Sequence, residues 1–163
     1  MTATALYITL FLAIYFQTFA LLTYLGKDAR TRRSKAPLKS DFPAVAVIVP
    51  CWNEESTIGG TVESLLALDY PKDKIEIMLV NDGSTDNTKA VLDRYASHTG
   101  ITVIHKENGG KHSAVNIGIE STNAEFIGCL DADSFVHPGA LREVIPHFED
   151  AAVGAVTASM TVH

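Results

Sequence analysis

The chain has 163 residues, enough for one domain with a hydrophobic core and a short appendage. Six of its 13 Lys and Arg residues lie within residues 27–39, whereas 18 of its 19 acidic residues follow residue 39. A segment this acidic repels polyanions, so nucleic acid is excluded as an expected partner. Cys51 and Cys129 are isolated and lack CxxC or Cys/His spacing. We therefore expect neither a disulfide nor a zinc site, and reduced thiols suit the cytoplasm.

An uncharged, apolar segment opens the chain. No charged residue occurs in residues 1–26, and the 21 residues Ala5–Leu25 are mostly apolar. As a helix they would be ~31 Å long, close to the ~30 Å hydrocarbon core of a bilayer. A signal peptide and a buried core helix are the alternatives, but a signal peptide carries its basic residues before the apolar segment. We predict a transmembrane anchor at residues 1–26.

A basic linker, residues 27–43, is predicted to follow the anchor. A Lys and Arg excess beside a spanning helix normally stays in the cytoplasm. The N-terminus is therefore expected outside the cell. The domain at 44–163 is expected on the cytoplasmic side of the plasma membrane, with one pass in this chain. The basic residues would contact anionic lipid headgroups, the alternative being a solvated linker.

From residue 44 onward, short apolar segments alternate with amphipathic ones. Apolar segments typical of strands buried on both faces are 44–49, 75–80, 101–104 and 126–130. Helices are predicted at 56–68, 86–97 and 112–120, with a fourth after Pro138 that Pro146 kinks or ends. A last strand is predicted at 153–162. This alternation predicts an α/β fold with a mostly parallel sheet and flanking helices.

Polar residues follow each of the first four predicted strands. They are Asn53 and Glu54, Asn81 to Ser84, Lys106 to Lys111, and Asp131 with Asp133. Ligands of such sheets bind outside the carboxyl ends of the strands, so these residues are expected to form one site.

The pair Asp131 and Asp133 is the first candidate for chemistry. Residues two apart on a strand point to the same side, so both carboxylates would address one spot. Two carboxylates suit a hard divalent cation, Mg²⁺ or Mn²⁺, that would neutralise a diphosphate leaving group. The alternative is a solvated turn.

Two glycine-containing segments are candidates for nucleotide binding. Gly83 allows a tight turn beside Asp82, whose carboxylate would accept hydrogen bonds from a base or ribose. Asp82 as a simple turn residue is the alternative. Gly109, Gly110 and Lys111 lie at a predicted helix start, where amides and an ammonium favour phosphate. The segment is not a Walker A loop, and no GxGxxG occurs, which disfavours a dinucleotide-binding oxidoreductase.

Four motifs in this order carry a resemblance: VIVPCWNEE, VNDGSTDNT, NGGKHSAVNIG and CLDADS. Together they resemble the Rossmann-like GT-A domain of family 2 glycosyltransferases, from about Ala44 to the end of the chain. The anchor and the NGGK segment are most similar to the processive membrane synthases of cellulose, chitin, hyaluronan and poly-N-acetylglucosamine.

The resemblance implies a role for each motif. Pro50, Asn53 and Glu54 would line the nucleotide pocket, and Asp82 would contact the uracil of a UDP-sugar. Gly110 and Lys111 would lie near the donor. Asp133 would be the more direct metal ligand, with Asp131 nearer the ribose or a metal-bound water. These residues are thus expected to bind a UDP-sugar, UDP-N-acetylglucosamine being one candidate, and the implied reaction is inverting transfer to a growing glycan.

Two further motifs of the family, the TED-like motif with the catalytic base and QxxRW, do not occur in this sequence. The catalytic base is therefore unassigned, and we expect the GT-A domain to be incomplete in this chain. Two alternatives stay open. One is a nucleotide-sugar-binding fragment without catalysis, and the other is a polyprenyl- or dolichol-phosphate sugar transferase with a lipid-linked acceptor.

Other conspicuous residues have structural interpretations. Trp52 would cover the sheet edge or stack on a base. His105 and His112 are expected to be structural or solvated. His137 is a minor candidate for the metal, and Cys129 is expected to be buried in its strand.

Overall fold

The structure is a computed structural model that describes residues 3–31 and 42–158. It contains two compact units, residues 1–37 and 38–163. In the first unit, α1 spans Ala3–Thr31. Within it, Ala5–Thr23 is long and apolar enough to cross a membrane, a property that signal sequences share. The hydroxyl groups of Thr9 and Thr23 donate to backbone carbonyls four residues earlier, as expected for polar groups in an apolar helix. Most of the basic linker lies outside the described residues.

The second unit alternates strands and helices. In chain order they are β1 (Val45–Cys51), α2 (Ile58–Leu66), β2 (Ile75–Asp82), α3 (Thr88–Asp93), β3 (Ile101–Lys106), α4 (Lys111–Glu120), β4 (Phe126–Cys129), α5 (Ala140–Val144) and a 3-10 helix (Ile145–Glu149). The four strands within residues 42–158 are parallel, in the order β3-β2-β1-β4. The expected α/β fold is confirmed. Helix α5 ends at Val144, and the 3-10 helix that contains Pro146 begins at the next residue, Ile145.

Each face of the sheet is covered by helices. Val45, Val47 and Val49 of β1 share a core with α2 and α3, whereas Ala46 and Ile48 pack with Ala114 of α4 on the other face. This two-sided burial explains why β1 is apolar at every position through Val49. Gly118 lets α4 approach closely, since a Cβ there would lie 2.6 Å from Ile48 Cγ2.

The strand order also locates a crevice. From β1 the chain moves outward through β2 to β3, and then returns across the other face through α4 to place β4 beside β1. The direction of winding therefore reverses between β1 and β4. In parallel sheets this switch point, at the carboxyl ends of the strands, is where ligands bind.

Two predictions about strands were wrong. The edge strand β4 is not buried on both faces: Ile127 is 46% exposed and Cys129 is exposed, because within residues 42–158 β4 pairs with β1 alone. Residues 153–158 form no strand, and 159–163 lie outside the described residues. An apolar segment becomes a strand only where a neighbour accepts its backbone hydrogen bonds.

Candidate functional site

A hollow of about 540 Å³ opens at the carboxyl ends of the strands. Its lining residues are Pro50, Cys51, Trp52, Glu54, Asp82, Asn108, Gly110, Lys111, Asp131, Ala132 and Asp133. They come from the ends of β1, β2 and β4 and from the segment that leads into α4. The volume is in the range of small-molecule sites. Asp82, Lys111 and Asp133, which are far apart in sequence, share this one hollow.

Asp82, the last residue of β2, is 3% exposed. Its Oδ1 accepts hydrogen bonds from the Lys106 ammonium and from the Gly109 N–H at 2.9 Å. Burial acts to raise the pKa of Asp82, but the bonds from Lys106, Gly109 and Gly110 together hold that pKa below its ordinary value. Asp82 is therefore an anion that can only accept hydrogen bonds.

The turn after Asp82 fits closely against the segment that begins at Asn108. Gly83 has φ of +69°, and a Cβ on it would lie 2.5 Å from the Asn108 backbone nitrogen. A side chain there is therefore excluded both by backbone conformation and by contact. This packing brings the two glycine-containing segments of the sequence together.

Lys106 was expected at the site only as one of the polar residues after the third strand, with no role of its own, and it reaches the site through Asp82. It ends β3 directly opposite Asp82 in the parallel register, and its side chain is 14% exposed. Its ammonium also donates to the Glu107 carbonyl at 2.5 Å. The available signal was a lysine two residues after the apolar segment 101–104, but its partner became evident only from the pairing of β2 with β3.

Lys111 begins α4 and follows Gly110, whose φ of +85° turns the chain into the helix. Its Nζ donates to Asp131 Oδ1 at 2.5 Å, and both side chains are more than half exposed. This hydrogen bond raises the pKa of Lys111 above its ordinary value, against an opposing effect of burial. A cation and a helix start therefore meet the acidic pair inside the hollow.

Asp131 and Asp133 lie on a turn, because β4 ends at Cys129. The prediction that the two residues lie on a strand is thus wrong, although both carboxylates are exposed and line the hollow. The turn is anchored through Ala132, which is 5% exposed and whose carbonyl accepts the Thr61 hydroxyl at 2.7 Å. Because the buried Ala132 fixes the middle of the turn, the carboxylates on either side of it face solvent.

Asn53 ties the β1–α2 loop to the β2–α3 loop. Its N–H donates to Ser84 Oγ at 3.0 Å, and its Oδ1 accepts the Thr85 N–H at 2.8 Å. Its φ of +56° is a left-handed conformation that asparagine tolerates. Asn53 is not among the residues that line the hollow, while its neighbour Glu54 is. The geometry thus gives Asn53 a supporting position.

Pro50, Cys51 and Trp52 form the β1 side of the hollow. Burial, with a smaller effect of Glu54, raises the pKa of the Cys51 thiol to about 12, so this group is neutral at physiological pH. Trp52 is 55% exposed. Its indole is therefore accessible to a planar ligand.

The histidines within residues 42–158 are not among the residues that line the hollow. His105 contacts two residues: its Nδ1 lies 3.2 Å from Asn81 Nδ2, and its Nε2 lies 2.8 Å from Asp93 Oδ1. His137 Nδ1 accepts the Gly139 N–H at 3.1 Å. Within the described ranges, no group of three or more His, Cys, Asp or Glu side chains forms a metal cluster. The acidic pair by itself would have to take further ligands from a substrate or from water.

The sequence matches the model of the family described as glycosyl transferase family 2 over residues 46–163. A poly-beta-1,6-N-acetyl-D-glucosamine synthase of Staphylococcus aureus is 32% identical over 156 residues, covering 93% of this chain and 37% of the relative. A beta-monoglucosyldiacylglycerol synthase of Synechocystis is 37% identical over 119 residues, covering 71% of this chain and 25% of the relative. The chain thus spans well under half the length of these relatives.

Solved structures share the architecture. The mannosyltransferase PcManGT of Pyrobaculum calidifontis, in complex with GDP-Man and Mn²⁺, has a TM-score of 0.70 and 29% identity over 88% of this chain and 44% of its own. TarS 1-349 of S. aureus in complex with UDP-GlcNAc has a TM-score of 0.57 and 30% identity over 67% and 30%. With the family match over residues 46–163, these similarities give one conclusion: the chain belongs to glycosyl transferase family 2.

Proposed function

We propose that this chain is part of an inverting, metal-dependent glycosyltransferase that transfers sugar from a UDP-sugar to a growing glycan. The observation that carries the proposal is the convergence of Asp82, Lys111 and Asp133 on one hollow at the switch point of the sheet. The buried acceptor Asp82 suits a nucleobase, and the accessible cation Lys111 suits a diphosphate. The carboxylate pair Asp131 and Asp133 suits a divalent ion.

The donor nucleotide would extend across the hollow. Asp82 accepts a hydrogen bond from the uracil, and Pro50, Trp52 and Glu54 lie on the β1 side of the base and ribose. Gly110 and Lys111 bind the diphosphate, because a helix start and an ammonium both favour phosphate oxygens. Asn53 keeps the β1–α2 loop in place through its bonds to Ser84 and Thr85.

Asp131 and Asp133 would hold Mg²⁺ or Mn²⁺. The donor set fits, since both side chains are accessible, offer hard carboxylate oxygens and share the hollow with the predicted diphosphate site. Such an ion, when bound, neutralises charge that develops on the leaving diphosphate. The chain's own residues position the donor, with Lys111 adding a second positive charge beside Asp131.

The similarity to the staphylococcal synthase and to TarS with UDP-GlcNAc supports N-acetylglucosamine as the transferred sugar. A lipid-linked acceptor is the second candidate, supported by the similarity to the diacylglycerol-modifying synthase of Synechocystis. In either case α1 would anchor the chain in the plasma membrane, with the sheet domain at 44–163 in the cytoplasm and the basic linker, 27–43, at the membrane surface.

Calorimetry on the full chain in detergent tests the donor site. UDP should bind in Mg²⁺ or Mn²⁺ and should bind far less tightly in EDTA. Asp133→Ala should abolish the metal-dependent part of binding, because one carboxylate cannot hold the ion against water. Asp73→Ala removes an exposed carboxylate outside the hollow and is the control. Unchanged affinity in Asp133→Ala contradicts the metal assignment, and tighter binding of GDP than of UDP contradicts the uridine assignment.

A transfer assay then separates the functions. Transfer from UDP-N-acetylglucosamine to an oligosaccharide supports the glycan acceptor, and transfer to diacylglycerol or a polyprenyl phosphate supports the lipid acceptor. Binding of UDP without any transfer by this chain identifies it as a nucleotide-sugar-binding segment.

A further inference from the structure

Lys106 and Asp82 form a nearly buried ion pair beside the hollow. They occupy matched positions at the ends of the parallel strands β3 and β2. Their side chains are 14% and 4% exposed, in contrast to the Lys111–Asp131 pair, whose side chains are 62% and 57% exposed. An exposed pair is worth little, whereas breaking a buried pair leaves an uncompensated charge. Of the two pairs, only Lys106–Asp82 is built into the framework of the domain.

We propose that Lys106 is a positioning residue for base recognition, which holds the Asp82 carboxylate as a fixed acceptor for a ring N–H of the nucleobase. The inference rests on the proposed function, because it concerns how Asp82 selects the base of the donor nucleotide. Lys106 acts through Asp82 and is not among the residues that line the hollow.

The geometry of the carboxylate carries the inference. The Lys106 ammonium and the Gly109 amide both donate to Oδ1 of Asp82. Lys106 is itself held by the Glu107 carbonyl at 2.5 Å, and Gly109 is held by the close contact of Gly83 with Asn108. With Oδ1 bound from two directions, the plane of the carboxylate is set. Neither Lys106 nor Gly109 uses Oδ2, and Asp82 lines the hollow, so a ligand there would meet this carboxylate through Oδ2.

The chemistry of a fixed, ionised acceptor defines the base edge that it binds. An anionic carboxylate accepts hydrogen bonds and donates none. Uracil presents a ring N3–H, and guanine a ring N1–H, whereas cytosine and adenine carry an unprotonated ring nitrogen at the corresponding edge. The lone pair on that nitrogen would face the anion. The Lys106–Asp82 pair therefore favours a base with a ring N–H, and the GDP titration described above separates guanine from uracil.

Lys106 also controls the charge state on which this selection depends. Lys106 of β3 is the charged group that contacts Asp82, and the charged groups that line the hollow with it are Glu54 after β1, Lys111 of α4, and Asp131 with Asp133 after β4. Burial by itself raises the pKa of Asp82, and the Lys106 hydrogen bond is the largest effect that lowers it. Without the ammonium, the carboxyl would take up a proton at a higher pH and lose its preference for an N–H donor.

The test compares UDP with N3-methyl-UDP, in which a methyl group replaces the hydrogen of the ring N–H. The measured quantity is the ratio of their affinities for the full chain in detergent, with Mg²⁺ present. In the wild type the ratio should be about tenfold or more, the factor for losing a hydrogen bond to a charged group. It should stay constant from pH 8 to pH 5. Titration of the phosphate cancels, because both nucleotides carry the same diphosphate.

In Lys106→Met the ratio should fall to about threefold or less at pH 7 and decline further toward pH 5, since a misplaced or protonated Asp82 gains little from N3–H. Lys106→Arg keeps a cation at this position and should retain most of the ratio. Lys111→Met is the matched control: it should weaken both nucleotides by the same factor and leave the ratio unchanged.

The outcomes separate the two proposals. If the wild type binds neither nucleotide, the proposed function fails and the inference with it. If UDP binds but Lys106→Met keeps the wild-type ratio at every pH, the inference alone is overturned. Should Lys106→Met not fold, the wild-type pH series and Lys106→Arg decide. A wild-type ratio near one, or one that falls between pH 8 and pH 5, overturns the proposal. Loss of the affinity ratio in Lys106→Arg overturns it as well.

Discussion

The Lys111 ammonium lies 2.5 Å from Oδ1 of Asp131, so the first residue of α4 bonds to the turn that follows β4. The two residues are 20 positions apart in the chain: Lys111 precedes β4, and Asp131 follows it. Both side chains remain more than half exposed. The pair thus places a cation next to the carboxylates without removing either group from solvent.

Lys111→Met should lower the affinity for UDP by about tenfold, because a charge-assisted hydrogen bond to the diphosphate is lost. The melting temperature should change little, since an exposed ion pair contributes only about 0–1 kcal/mol to stability. Calorimetry and thermal unfolding measure the two effects. A large loss of stability with unchanged UDP affinity would make Lys111 a structural residue. Lys89→Met, which removes an exposed lysine of α3 outside the hollow, is the control.

Trp52→Ala should weaken UDP binding by about 1–3 kcal/mol, the range for loss of one base–aromatic stack. Because Trp52 is the one tryptophan of the sequence, quenching of its fluorescence by UDP should report the same contact in the wild type. Phe135→Ala is the control, as Phe135 is 72% exposed and does not line the hollow. Equal UDP affinities in wild type and Trp52→Ala would assign the indole to the sheet edge.

Gly83→Ala should destabilise the sheet domain by about 1–3 kcal/mol, because the new Cβ meets the Asn108 backbone and the φ of +69° is strained for alanine. UDP affinity should fall too, since the Gly109 amide would move away from Asp82. Gly154→Ala is the control, because nothing lies within 4 Å of a Cβ at that position. Chemical unfolding and calorimetry of both variants measure the difference. Equal stability of the two variants would show that Asn108 moves aside at no cost.

The free energy of unfolding should depend on pH through Asp82. Its pKa is lowered in the folded state, so the unfolded chain binds more protons between the two pKa values. The resulting stabilisation is fully present above the unfolded pKa of about 3.9 and is lost as the pH falls through the lower folded value. The stability difference between wild type and Asp82→Asn should therefore be constant from pH 7 to pH 5 and shrink below about pH 4. Urea unfolding at a series of pH values measures it, and a difference that does not shrink as the pH falls below the unfolded pKa contradicts the assignment.

The apolar segments of the sequence determined most of the architecture. A strand buried on both faces must be apolar at nearly every position, as in β1 and β2, so the central sheet was predictable without knowledge of neighbours. The rule that ligands bind at the carboxyl ends of parallel strands then located Asp82, Lys111, Asp131 and Asp133 at one site. Each of these residues lines the hollow.

Only the tertiary structure decided which side chains meet across elements. The pairing of Lys106 with Asp82 depends on the register of β3 against β2, and the bonds of Asn53 to Ser84 and Thr85 depend on two loops meeting. The exposure of Cys129 follows from the place of β4 at the edge of the described sheet. Hydrophobic periodicity reports whether a residue is suited to burial, but strand order and register set its neighbours. For that reason the sequence determined the residue types of the site, whereas folding decided which of them contact one another.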